Sequence, residues 1–161
     1  MELYEQLLQK ADDIGLHVME SVPFESQAKG LVCGDCIGLN QDIETMAEKA
    51  CILAEEIIHS QVNTGSILDQ RVSANIKQEH MARKQLHHNL VNLRIIVSLM
   101  KSGYKEPDEI ADKLGITESL LSEAISGYRE EYGICLKLDD DILFLEPTVI
   151  LKSQLADGAE P

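Results

Sequence analysis

The stretch "GLVCGDCIGLN", residues 30–40, most constrains the fold, because two short apolar runs meet there at Gly34-Asp35, the signature of a tight β-hairpin. Ahead of it, Leu3, Leu7, Leu8, Ala11 and Ile14 recur at helical spacing and stop at Gly15, a natural terminator. "LHVME" is a short strand candidate, and "SVPFESQAKG" is a loop punctuated by Pro23 and Gly30. Behind the hairpin, Asn40 or Asp42 is placed to cap a helix running to about residue 62. After "NTGS", a second long helix is predicted over about 70–101, closed by Gly103. "EPDEIADKLG" and "TESLLSEAISGYREEYG" are two short helices, the first ended by Gly115 and the second capped by Thr117. "ICLKL" and "DILFLEP" form a second hairpin across Asp139-Asp140-Asp141. Helices and strands are segregated, which argues an α+β fold over a doubly wound sheet. The predicted division is a core over 1–101, a helical subdomain with a C-terminal hairpin over 102–150, and a disordered tail over 151–161.

Charge narrows the partners. Across 161 residues, 28 acidic side chains face 14 basic ones, a formal net charge of −14. Nucleic-acid affinity comes largely from Lys and Arg displacing counterions, so a chain this acidic is not expected to bind nucleic acid directly. The start, "MELYEQLLQKADD", is charged throughout and lacks a signal-peptide core; "LVNLRIIVSLM" is too short for a span and is broken by Asn92 and Arg94. A cytoplasmic protein with no membrane partner is expected, its four cysteines reduced. Cys33 and Cys36 form a C-x-x-C pair, but no second pair completes a four-cysteine metal site, and Cys51 and Cys135 are isolated. The pair reads as structural, flanking the hairpin turn.

The chemistry-bearing stretch is "CILAEEIIHSQ", residues 51–61. Glu55-Glu56-Ile57-Ile58-His59 is the zinc-protease signature H-E-x-x-H with glutamate at its first position. On a helix, Ala50, Leu53, Ala54, Ile57 and Ile58 share the core-facing arc, while Glu55 and His59 stack four residues apart beside it. Such a pair can bind a metal together, with Glu56 placed to act as general base. A Glu–His pair on a polar helix face is also an ordinary surface partnership. Glu79, on the next long helix, is a third ligand candidate, since catalytic zinc takes three protein ligands and an open position. His80 points elsewhere, and His87 and His88 read as surface or rim residues. The di-iron alternative needs a second E-x-x-H, and none exists.

The order of these features resembles the ImmA/IrrE family of small zinc-metallopeptidase-like proteins, found beside repressors in phages and mobile elements. The matching segments are "AKGLVCGDCIGLN", "AEKACILAEEIIHSQ", "GSILDQ", "KQEHMARKQL" and "DEIADKLGITESLLSEAISGYREEYGI" with "FLEP". The resemblance implies a zincin-like fold with a small antiparallel sheet, a long active-site helix and a helical C-terminal subdomain. It implies metal on Glu55, His59 and Glu79, with Ala82 three residues beyond the last, and Glu56 as the general base. It implies as substrate a specific repressor or regulator of the helix-turn-helix kind, lying extended along a strand edge of the 30–39 hairpin. Three features depart from the family: Glu55 replaces the usual first histidine, Ile58 a common glycine, and the pair Ser60-Gln61 a histidine or aromatic residue. Two carboxylates and one imidazole make a bound ion a weaker Lewis acid, and they loosen the preference for zinc over manganese or iron. An inactive relative that regulates a repressor by binding is the alternative. The 106–133 region has a helix-turn-helix cadence of its own, but Glu118, Glu123, Glu130 and Glu131 against Arg129 would repel it from DNA.

Overall fold

The computed structural model describes residues 2–62, 72–146 and 149–153. Within them the fold is α+β: two small three-stranded sheets and six helices around one buried cluster. Helix α1 (Leu3–Asp13) starts with a reciprocal Glu2–Glu5 capping box and buries Tyr4, Leu7 and Ala11. Gly15, at φ 80°, turns the chain into β1 (His17–Val22).

The predicted hairpin is present as β2 (Gly30–Cys33) and β3 (Cys36–Asn40), with Cys33 opposite Cys36 and a positive φ at Gly34. Its sheet is not wholly antiparallel, as the family pattern implied. The strand order is β1-β3-β2, with β3 antiparallel to β2 but parallel to β1. Residues 23–29 carry the chain past the central position, so the returning arm of the hairpin slots in beside β1 and runs the same way. Ile37 and Leu39 of β3 are fully buried, whereas Met19 and Leu31, which both pair with Gly38, face outward.

Helix α2 (Met46–Val62) is preceded by Thr45, whose Oγ1 accepts from Glu48 N at 3.1 Å as its cap, in place of the predicted Asn40 or Asp42. Asn40 is used in the loop instead: its Nδ2 donates to Ala28 O at 2.7 Å, and its Oδ1 accepts from Asp42 N. Ala50, Leu53, Ala54, Ile57 and Ile58 are buried, as the helical spacing requires.

The turn "NTGS" and all of "GSILDQ" lie outside the described residues. Beyond them, the single helix predicted over 70–101 is two: α3 (Val72–Leu90) and α4 (Leu93–Lys101). Asn92 makes the break, taking an extended backbone and accepting from Arg94 N at 2.9 Å to cap α4. Helices α5 (Pro107–Leu114) and α6 (Glu118–Tyr132) follow, with Gly115 left-handed at φ 71° and Thr117 Oγ1 accepting from Leu120 N. Leu120, Leu121, Ala124 and Tyr128 of α6 join the same buried cluster as the N-terminal helices.

The second sheet, β4-β5-β6, is antiparallel: β4 (Cys135–Leu138), β5 (Asp141–Phe144) and β6 (Ile150–Ser153). The tail predicted from 151 therefore starts too early. Residues 150–153 pair with β5 along its free side, and 154–161 lie outside the described residues. The turn is Asp139-Asp140, with Asp139 at φ 56°, while Asp141 is buried and paired with Lys101 Nζ at 2.6 Å.

Candidate metal centre

Helix α2 buries its apolar arc against the sheet and α1, which leaves Glu55 and His59 on the flank that faces α3. One turn apart, they approach to 3.7 Å between Oε1 and Nε2, each side chain 27 % exposed. Helix α3 packs on α2 through buried Ala82 and Leu86 and brings Glu79 to the same place. One ligand atom from each of Glu55, His59 and Glu79 lies within 4.8 Å of the others. Ile58, Ala82, Leu86 and the cationic Arg83 also line the gap between them, which has about 10 Å³ of room. That is roughly the space one water-sized particle occupies. Two carboxylates and an imidazole around such a gap suit a single divalent ion, and the donor set fits zinc, manganese or iron.

Glu56 turns the other way, toward the sheet. A Cβ built on Gly30 would fall 2.7 Å from both Cγ and Oε1 of Glu56 and 2.7 Å from Ile52 Cγ2. The glutamate therefore lies over the first residue of β2, an outer strand of its sheet. Burial pushes its carboxyl above the ordinary range; the charge of Glu55 adds to the rise, and His59 opposes it. A carboxylate raised in this way is a stronger base than a solvated one.

Arg83, which no motif singles out, stands beside this site. It reaches Glu55 at 3.7 Å, Glu79 at 3.8 Å and Glu123 of α6 at 3.4 Å. The i to i+4 spacing from Glu79 signals the second contact; only the packing of α6 on α3 supplies the third. His80, His87 and His88 line a different space, a cleft of about 720 Å³ between α3 and α6. Its charges are matched across it. His88 Nε2 lies 3.0 Å from Glu131 Oε2, and Lys84 Nζ lies 3.3 Å from the same oxygen. His88 is exposed, as a rim residue should be, but His87 is sunk against Gly127, whose Cβ would lie 3.1 Å from its Nδ1. Burial, more than any charge, lowers the His87 pKa.

The cysteines are all free. Cys33 and Cys36 flank the hairpin turn as predicted, and buried Cys51 accepts from Thr117 N at 3.5 Å, tying α2 to the start of α6. Among the described residues, no helix is long and apolar enough to cross a membrane. Comparison of the chain with protein-family models, with curated proteins and with solved structures finds no match.

Proposed function

We propose that this chain is a metal-dependent endopeptidase of the ImmA/IrrE type with a zincin-like fold, acting in the cytoplasm on a specific helix-turn-helix repressor or regulator. Convergence carries the reading: Glu55, His59 and Glu79, from two helices, offer ligand atoms within 4.8 Å of one another around one small gap. These three residues would hold the metal, zinc by preference and manganese or iron as alternatives. When bound, the ion supplies Lewis-acid polarisation of a peptide carbonyl.

Glu56 is the general base of this reading: its carboxylate, which sits over Gly30 and does not line the gap in this conformation, would take a proton from water entering along β2, and its raised pKa suits it to that exchange. Among the described residues no strand pairs with the outer edge of β2, and that edge would offer backbone groups to an extended peptide. Gly30, at the start of that edge, has no side chain to stand between the peptide and Glu56.

The first test is elemental analysis of the purified chain beside Glu79→Ala. Stoichiometric zinc, manganese or iron that disappears in the variant supports the site; no metal after reconstitution sinks the peptidase. With metal established, Glu56→Gln should lower cleavage of the cognate repressor by about 100-fold or more while metal content stays unchanged. An unaltered biological effect in that variant would instead support a relative that acts by binding the repressor.

A further inference from the structure

Resting on the metal reading above, we propose that Arg83, anchored by Glu123, is the counter-charge that lets a glutamate stand at position 55 where a zincin carries histidine. The guanidinium directs a different nitrogen at each of three carboxylates on three helices. Nη2 is 3.7 Å from Glu55 Oε1 on α2, Nε is 3.8 Å from Glu79 Oε1 on α3, and Nη1 is 3.4 Å from Glu123 Oε2 on α6. Only the Glu123 contact is a hydrogen bond. The other two are coulombic stand-offs, too long to use up the lone pairs of the carboxylates.

That division decides what Arg83 does. Exchanging a neutral imidazole for a carboxylate adds one negative charge to the ligand set. A guanidinium within 4 Å of both ligand carboxylates offsets it, and the offset is larger here than in bulk water because Glu55 is half-buried. Glu123 fixes the offset in place from outside the ligand set. A group that orients metal ligands by hydrogen bonds loses affinity when removed, typically about 10–100-fold. A counter-charge does the opposite: its removal exposes negative charge, and a divalent cation binds more tightly. The two roles predict opposite signs.

The experiment is zinc and manganese affinity of the full chain by chelator competition, at one pH and ionic strength. The proteins are wild type, Glu79→Gln, Arg83→Gln, Arg83→Lys, Glu55→His and the double variant Glu55→His/Arg83→Gln. Arg83→Gln should bind both ions more tightly, on the order of ten-fold, and Arg83→Lys should stay near wild type. In the Glu55→His background the gain from Arg83→Gln should shrink, since the extra charge is already gone. Weaker or unchanged binding in Arg83→Gln overturns the proposal, as does an equal gain in both backgrounds. Should wild type bind no metal, or Glu79→Gln bind as wild type does, the metal reading fails and takes the proposal with it. An unfolding curve for each variant separates lost affinity from lost fold, and Arg83→Lys carries the test where Arg83→Gln does not fold.

Discussion

Helix α3 takes part in two groups of histidine and carboxylate, one shared with α2 and one with α6, and they differ in what completes them. Glu79 meets Glu55 and His59 across a small gap, with acceptors facing one another. Near the other end, His87 Nε2 stands 3.7 Å from Glu123 Oε2, beyond hydrogen-bond reach, while His88 and Lys84 both meet Glu131 of α6. Glu131 shows the effect, since His88 first and Lys84 after it hold its carboxyl below the ordinary range. Tyr128 closes this second group, its ring edge-on to His88 and its hydroxyl donating to Val91 O at 2.6 Å. Residue types do not separate the two groups. The first group has two carboxylates that share one guanidinium, Arg83, at stand-off distance and so keep acceptor capacity for a cation, whereas Glu131 is bonded by both His88 and Lys84 in a structural network.

Substitutions at each group should break that contrast if it is wrong. The largest effect is predicted for His59→Ala: metal affinity falls by more than about 100-fold, while stability in urea moves by no more than about 0.5 kcal/mol. A large stability loss would place His59 in the structural class. Tyr128→Phe should do the reverse, costing about 1–3 kcal/mol because the buried Val91 carbonyl loses its donor, with metal affinity unchanged. Gly30→Ala lies between the two. Its methyl collides with Glu56 and Ile52, so a loss of about 1–3 kcal/mol is expected. A silent Gly30→Ala would show that Glu56 does not pack on β2 as described.

The pH response sharpens the comparison further. Burial lowers the His87 pKa in the folded state, so folding favours the neutral ring. Its contribution is fully present above the unfolded value, about 6.5, and is lost as pH falls below that toward the folded value. Urea stability of wild type should therefore decline more steeply on acidification than that of His87→Asn. Parallel declines would remove His87 from the acid response. The smallest effect is expected at His88→Ala, about 0.5 kcal/mol or less, since Glu131 keeps Lys84 as a partner and the ring is largely solvated.

What could be read in the sequence was local. The 30–40 hairpin, the left-handed Gly115 and the Thr117 cap follow from turn and capping chemistry within a few residues. The Glu55–His59 pair needs only a helix. The break at Asn92 was hidden because Leu90, Val91, Leu93 and Ile96 are all apolar, and a periodic pattern does not say which polar residue will turn inward to cap. The parallel β1–β3 pair and strand β6 depend on where a chain returns in space. So does the carboxylate of Glu123 at Arg83, which no spacing within α2 or α3 announces.

The contact between Glu123 and Arg83 has a thermodynamic consequence. Helix α6 touches the ligand set through Arg83, and its first turn is bonded to Cys51, one turn before Glu55. Its apolar face belongs to the same buried cluster as α1, α2 and α3. Opening the C-terminal half would therefore unseat the ligands in the N-terminal half, and the chain should melt in one transition. An ion held at Glu55, His59 and Glu79 would then raise the melting temperature of β4 and β5 as much as that of α2. Saturation at a single point would tighten the entire chain.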